Sequence, residues 1–404
     1  MTDKARADLS GTAYGRPPQQ PNKLLTEVGP GTGLGELMRR YWHPVAASDS
    51  VTATPRRVRI LGEDLVLFRD RKGRPGLLYP RCMHRGTTLY YGKVEDEGIR
   101  CCYHGWLFAV DGQCLDQPCE PNRGLRRDLA RQPWYPVQEQ YGLVFAYMGP
   151  PEKMPVLPRY DILEDLKPGE RLASCVGGWG STGDKSLDVV PYSWLHMCDN
   201  IMDPYHVYVL HSTFTGAQFH PDFGVMPKKV DFTYVDHGVC YSAIREMPDG
   251  RTFDRVSSYL LPNIMSVPPT MDLRERRSVS MSWVVPVDDS HYIQVMIEKV
   301  AGASRFDAPR PSAIGKGWGD MTEEERRDLP NDYEAQAGQG TISLHSEEHL
   351  AMSDRGIVMQ RRLLTKQIEH VQKGGDPLGF NADPAKAVFN VRSGNFYRAS
   401  QAAE

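Results

Sequence analysis

Hydrophobic and polar positions change their period several times along this chain, and each change predicts an element. Leu34 to Tyr41 (LGELMRRY) repeats its apolar side chains at helical spacing. The glycine-rich run from Gly29 to Gly35 opens this helix and offers Thr32 as its N-cap. That run has no convincing preceding strand and no βαβ unit, so it reads as a loop rather than a phosphate cradle. From Trp42 to Met148 the pattern becomes short β segments, among them RRVRILG, EDLVLFRD and YGLVFAYMG. Turn signals fall at Arg71-Lys72-Gly73 and Asp111-Gly112. Further on, residues 193–211 read as a helix interrupted by Pro204. Residues 228–247 and 276–300 alternate as hairpins of an antiparallel sheet with one buried face. A long helix is expected to open at Ser346 and run to about Lys373, closed by Gly374-Gly375. Its stripe of Leu350, Ile357, Leu364, Ile368 and Val371 reads as packing, and no internal repeat is visible.

These elements divide the chain into three expected parts: an N-terminal arm and helix (1–41), a small all-β domain (42–150) and a larger mixed domain (151–404). The proline-rich stretch from Pro150 to Pro158 is the expected linker. A chain of 404 residues has ample length for a core. Its net charge of −3 suggests neither a nucleic-acid nor a membrane-surface partner. The first 23 residues are polar and Pro/Gly-rich with no apolar h-region, and no apolar run approaches a membrane span. The expectation is a soluble, cytoplasmic protein.

Candidate chemistry sits first in two short runs, Cys82-Met83-His84 and Cys101-Cys102-Tyr103-His104. Each pairs one thiolate with one imidazole. A Rieske [2Fe–2S] centre needs that set, two Cys on one iron and two His on the other. Gly86 and Gly105 follow the two histidines, where glycine permits a turn that other residues resist. Zinc also takes mixed Cys/His ligands, but its knuckles and ribbons usually open with Cys spaced two to four apart. The Cys-x-x-His spacing favours Cys101 over Cys102. The remaining cysteines (Cys102, Cys114, Cys119, Cys175, Cys198 and Cys240) lack a disulfide framework and read as reduced thiols.

A second set lies within residues 199–211: Asp199, Asn200, Asp203, His206 and His211. Two His and one carboxylate form the facial triad of non-haem Fe(II) oxygenases, which leaves positions open for O₂ and substrate. His206 and His211 are five apart, roughly 140° round a regular helix. Both face one ion only if a π-type bulge intervenes or the helix ends before His211.

The two motifs together resemble the oxygenase (α) component of Rieske non-haem iron oxygenases, whose Asp/Glu-x3-Asp-x2-His-x4-His pattern matches Asp199, Asp203, His206 and His211. The similarity is closest to the phthalate 4,5-dioxygenase-like branch, which includes O-demethylases. It is carried by CMHRGTTLYYGKVEDEGIRCCYHGW, NKLLTEVGPGTG…YWHP and EHLAMSDRGIVMQRRLL, so it covers nearly the whole chain. The resemblance implies an α+β chain in which an all-β Rieske domain precedes a helix-grip catalytic domain, an antiparallel sheet with helices. It implies a [2Fe–2S] cluster on Cys82, His84, Cys101 and His104, and a mononuclear Fe(II) on His206, His211 and a downstream aspartate. Registering Gly340-Thr341-Ile342 and Glu348-His349-Leu350 on the family pattern selects Asp332, with Asp354 as the fallback. The family's Glu-Ser-Met is Ala337-Gly338-Gln339 here, so that register is imperfect.

The resemblance also makes Asp203 a bridge from an iron-ligand His to a cluster His of a neighbouring subunit in a head-to-tail homotrimer. Asn200 is placed near the iron. Thr87 and Tyr103 occupy the positions of the extra cysteines of respiratory Rieske proteins, so no stiffening disulfide forms. The expected activity is a terminal oxygenase that hydroxylates or O-dealkylates an aromatic, possibly carboxylated, compound with O₂ as co-substrate; N-dealkylation is also open. No flavin or nicotinamide fingerprint appears, so NAD(P)H must act through a separate reductase. The alternative is a Rieske electron-transfer protein with no oxygenase site of its own. Aromatic side chains at Phe232, Tyr234, Tyr241, Tyr259, Trp283 and Tyr292 are candidates for a planar pocket, and Arg245, Arg251 and Arg255 for a carboxylate partner.

Overall fold

The two alternating stretches pair as expected. Lys229–Val235 runs against Gly238–Glu246, and Ser280–Asp288 against His291–Val300. In the computed structural model, which describes residues 12–178, 188–216, 218–273, 276–307, 312 and 314–399, they belong to one antiparallel sheet. Its order starts at Arg171–Val176 and ends at Lys229–Val235, with Ile264–Ser266 and Thr252–Leu260 between the hairpins. Gly394–Arg398 and Arg276–Arg277 join at the side of Thr252–Leu260. Residues 1–11 of the expected arm lie outside the described residues.

The residues from Trp42 to Tyr147 form three small β-sheets connected by turns and short 3-10 segments. One joins Trp42–Ala47, Val137–Gln140 and Leu143–Tyr147; a second joins Arg56–Ile60, Glu63–Arg69, Pro75–Leu78 and Trp134–Tyr135. The third joins Lys93–Glu95, Gly98–Arg100, Leu107–Phe108 and Cys114–Asp116. Val66, Phe68, Leu78, Leu89, Val94, Ile99 and Phe108 make a small core that also holds Cys82 and Cys101. A separate, larger core runs from Leu34 and Trp42 through Leu143–Met148 to Trp283 and Leu364. The chain is therefore α+β: an all-β unit carrying the Cys/His loops, then an antiparallel sheet with helices packed on it. No helix among the described residues is long and apolar enough to cross a membrane.

The first helix spans Gly33–Met38, and the Thr32 hydroxyl accepts from Gly35 N–H as an N-cap should. Residues 193–211 divide into a helix at Trp194–Ile201, a break at Asp203-Pro204, a short turn at His206–Tyr208 and a π-helical segment at Val209–Phe214. The long C-terminal helix differs from expectation: it occupies Arg355–Gln372 and starts nine residues after Ser346. Asp354 accepts the Ala351 N–H, and Glu348 is drawn aside to the Arg361 guanidinium, so residues 346–354 remain outside the helix. Leu350 is consequently exposed, and the packing stripe is Ile357, Leu364, Ile368 and, partly buried, Val371. Of the aromatic strand residues, Trp283 packs between Phe145 and Tyr160, Tyr259 and Tyr292 are fully buried, and Tyr234 faces solvent.

Candidate metal centres

The two Cys/His runs fold into matching loops. Cys82 N–H donates to Thr87 O and Gly86 N–H to Cys82 O, both at 2.8 Å. Cys101 N–H donates to Trp106 O at 2.8 Å and Gly105 N–H to Cys101 O at 3.1 Å, the same offsets from the cysteine. Gly86 and Gly105 close the loops at φ of 75° and 74°, the left-handed region that glycine enters without strain. Both sulfurs are buried in the small core, whereas Cys102 is exposed. Burial, with Cys101 alongside, pushes the Cys82 thiol up to about 11. Such a thiol stays protonated unless a metal binds it as thiolate.

His84 and His104 sit at the outer edge, ring centroids 4.5 Å apart, with His84 stacked on Trp106 at 4.6 Å. Burial, followed by the neighbouring His84 and Arg85, lowers the pKa of His104 and favours its neutral, ligating form. Two buried thiols facing two adjacent imidazoles fit a Rieske [2Fe–2S] cluster. Two side chains that sequence reasoning missed hold the loops. Gln132 accepts Met83 N–H and donates to Tyr79 O and Arg81 O, each at 2.8 Å. Arg100 joins Glu95, Asp116 and Gly105 O.

The second set converges from three places in the chain. Ser212, Thr213 and Thr215 each donate a hydroxyl hydrogen bond to the carbonyl five residues earlier, at 3.3, 3.2 and 2.9 Å. Those hydroxyls occupy carbonyls of the widened turn, and the π segment brings His211 to the side of His206. Asp332 arrives on the first turn of Asp332–Ala337, a helix set by the Asn331/Glu334 capping box. One nitrogen or oxygen from each of His206, His211 and Asp332 lies within 4.8 Å of the others. The Asp332 Oδ1 is 3.1 Å from His211 Nε2 and 3.5 Å from His206 Nε2, and it accepts from Asn200 Nδ2 at 2.9 Å. Asp354, the fallback, instead accepts the Ala351 N–H and closes the turn that precedes the long helix.

The tautomers favour a cation. His206 Nδ1 lies 2.5 Å from Asp203 O, and His211 Nδ1 lies 2.9 Å from Gln218 Oε1. A neutral imidazole has one N–H, so each ring spends it there and turns the Nε2 lone pair toward Asp332. Two lone pairs and a carboxylate oxygen aimed at one point repel unless a positive charge lies between them. Bonds of about 2.1 Å at right angles put donor atoms roughly 3 Å apart, close to the spacing here. Without a metal, protons supply the charge. Burial opposes it, but Asp203 and Asp332 raise the pKa of His206, while His211, His206 and Asn200 hold Asp332 well below the usual carboxylate range against its own burial.

A cleft of about 520 Å³ reaches this site, lined by Asp199, Asn200, Asp203, His206, Glu348 and Arg361 among others. The Asp203 side chain, 26 % exposed, forms part of its wall. Deeper in, Arg361 pairs with Asp199 at 2.6 Å and Glu348 at 2.8 Å, and burial pushes Asp199 up to about 6 although Arg361 pulls against it. Gln218 carried no sequence signal, and Glu348 and Arg361 stood only within the matched EHLAMSDRGIVMQRRLL stretch, without sign of their pairing, since their partners are distant or lie across a loop.

Residues 41–138 match the Rieske [2Fe-2S] domain family. The chain is 57% identical over 399 residues to the phenoxybenzoate dioxygenase subunit alpha of Ectopseudomonas oleovorans, covering 98% of this chain and 97% of that one. It is 36% identical to the 5,5'-dehydrodivanillate O-demethylase oxygenase subunit of Sphingobium sp., over 90% of this chain and 83% of that one. A solved structure of Pseudomonas putida CBB5 NdmA with caffeine, a QL mutant, superposes with a TM-score of 0.60 at 18% identity, covering 85% of this chain and 94% of that one.

Proposed function

This chain belongs to the Rieske non-haem iron oxygenases as an oxygenase (α) component, and from that premise we propose that it oxidises an aryl ether or related aromatic compound, using O₂ and electrons that a separate reductase draws from NAD(P)H. The residues to about 150 carry the electron-relay centre on Cys82, His84, Cys101 and His104. The residues from about 151 carry the substrate-oxidising centre on His206, His211 and Asp332. When bound, the cluster supplies one-electron transfer and the ferrous ion supplies O₂ activation. The observation that carries the reading is the convergence of the two Nε2 lone pairs and Asp332 Oδ1 downstream of a Cys/His loop pair.

The chain's own part is positional. Asp203 O and Gln218 Oε1 fix the two imidazoles in the tautomer that leaves Nε2 free to ligate. Asn200 holds Asp332 Oδ1 in place. Asp203, with its carboxylate at the cleft wall, is the group through which His206 meets a cluster histidine of the next subunit in a cytoplasmic homotrimer. The relatives' substrates, phenoxybenzoate and dehydrodivanillate by name, support a carboxylated diaryl substrate class. Ring dihydroxylation and O-dealkylation of such a compound need the same ligands and differ in how the substrate lies.

The test is iron and acid-labile sulfide per chain, with EPR of the reduced protein, on wild type and a His206→Ala/His211→Ala double variant. About three irons and two sulfides in wild type, falling to about two irons with an unchanged Rieske signal, is the expected result. Two irons in both proteins would remove the second centre and leave an electron carrier.

A further inference from the structure

Arg245 and Arg255 pack on Phe223 as a closed, buried cluster, and Arg251 is exposed and paired with Asp249. The buried polar side chains beside Asp332 differ, because they open on the cleft. His196 and Asn200 stand four apart on the helix Trp194–Ile201, and Asp332 and Gln336 four apart on Asp332–Ala337. Residues at that spacing share a helix face, and the two helices pack together. One rung between them is closed directly: Asn200 Nδ2 donates to Asp332 Oδ1 at 2.9 Å. The Ser193 N–H meets Thr341 O at 2.8 Å, so the two stretches run antiparallel and His196 comes level with Gln336. These two side chains belong to residues 3 % and 1 % exposed. Both ring nitrogens of His196 and both amide atoms of Gln336 are buried, and none pairs with a group of the protein among the described residues. His196, Asn200, Gln336 and His206 all line the cleft of about 520 Å³.

A buried donor or acceptor left unpaired is costly, and native proteins satisfy such groups with protein or with ordered water. Water suits a polar, roomy place that offers it about two to four partners. His196 and Gln336 supply that many, since each side chain carries donor and acceptor character. Burial first, then His345 and Arg361, hold His196 down at about 4, with Glu348 opposing. The ring is therefore neutral at ordinary pH: it orders water and keeps no proton for itself. The chemistry has a matching need. Each O₂ reduced draws two electrons from the reductase and two protons from water, whether its oxygen ends in two product hydroxyls, in product and water, or in hydrogen peroxide.

We propose that His196 and Gln336 hold ordered water that carries protons from the cleft to the His206/His211/Asp332 site. This rests on the oxygenase reading above and adds the residues through which its protons enter. A proton taken up at the cleft end is released at the inner end, so each water is restored and only charge moves inward. His196 and Gln336 act as positioning residues, through the water they orient. Asp203 lies on the wall of the same cleft, so protons enter from the side that receives the electrons.

The test has a structural and a kinetic part. A crystal structure of the iron-loaded protein is expected to show water within hydrogen-bond distance of a His196 ring nitrogen and of the Gln336 amide. Separately, the dithionite-reduced protein is mixed with O₂ in H₂O and in D₂O, with phenoxybenzoate as the probe, and the return of the oxidised Rieske absorbance is timed. His196→Leu and Gln336→Leu are each expected to slow that return about tenfold or more, and to slow it further in D₂O than wild type does. His196→Gln, which still hydrogen-bonds water, keeps most of the rate. Iron content and melting temperature of each variant report folding. A direct His196–Gln336 hydrogen bond with no water, leucine variants that match wild type in both solvents, or a slowing of equal size in H₂O and D₂O overturns the proposal. Product from the probe is scored separately. Isotope-sensitive reoxidation without product counts against the aryl-ether reading and leaves the proton path standing; product without that sensitivity does the reverse.

Discussion

At the scale of single residues, the proposed second metal centre depends on which nitrogen of each histidine carries its proton. Gln218 settles this for His211 through the 2.9 Å contact to Nδ1, and it is itself tied to Pro330 O, two residues before Asp332. Gln218→Leu removes the acceptor and frees the ring to protonate at Nε2. Metal affinity at the site is expected to fall about 10- to 100-fold, read by competition with a coloured chelator. An unchanged affinity would mean that the ring is oriented by Phe219 stacking alone. His206 gives a pH signature. Its folded-state pKa is raised above about 6.5, so in metal-free protein its stabilising charge is present below that value and lost as pH rises through the folded value. The ion competes with the same proton, so metal binding follows the opposite slope. Melting temperatures from pH 6 to 8 should therefore separate: the metal-free protein loses stability as pH rises while the gain on adding Fe(II) grows. His206→Gln should flatten both trends, and trends that persist in that variant would assign them to other groups.

At the scale of elements, a close approach between the long helix and the sheet sets the position of the Asp203 turn. A Cβ on Gly356 would stand 2.4 Å from Phe232 Cε1 and 2.5 Å from Met202 O, one residue before Asp203. Gly356→Ala must push the helix from the strand or the Met202 carbonyl from the helix. It is expected to cost about 1–3 kcal/mol in denaturant unfolding and to lower iron occupancy of the second site. Wild-type stability and iron content would show that the helix has slack. Elements of this kind were legible where the period was strong: the two hairpins and the Thr32-capped helix follow from alternation and capping chemistry. The π segment was legible as one of two solutions, because two histidines five apart face one ion only if the helix widens or ends before His211. The start of the long helix was not legible. Glu348 leaves the helical path for Arg361, thirteen residues on, and that pairing exists only in the folded chain. Gln132, Arg100 and Gln218 escaped notice likewise, since each acts on a residue that local spacing does not connect to it. Asp332 was reached only through the family pattern, because a lone aspartate after Asn331 reads equally well as a helix-start acid.

At the scale of the whole molecule, the two proposed centres rest on different cores. The Cys/His loops belong to the small core around Phe68 and Phe108, whereas Cys198 and Met202, on the segment leading to His206, belong to the large one. The tip of the cluster loops is open. Tyr103 is 56 % exposed with its ring 3.9 Å from that of half-buried His104, a surface suited to docking. On the other side, Asp203 lines a cleft with its carboxylate partly open. Head-to-tail assembly would bring one chain's tip to the next chain's cleft and route electrons between subunits rather than within one. Complementation tests this directly. His104→Ala disables the cluster and His206→Ala the second centre, so each homo-oligomer is inactive. Co-expression with two different affinity tags yields purified mixed oligomers in which an intact cluster faces an intact iron site on its neighbour. Turnover in that mixed species, absent from either parent, is the expected outcome. Verified mixed oligomers that remain inactive would require transfer within one chain and would remove Asp203 as the bridge. Asp203→Asn sharpens the distinction: with both metals retained, it should slow cluster reoxidation by O₂ and substrate at least about tenfold without altering substrate affinity. A variant that reoxidises at the wild-type rate would leave Asp203 the smaller task of holding the His206 ring.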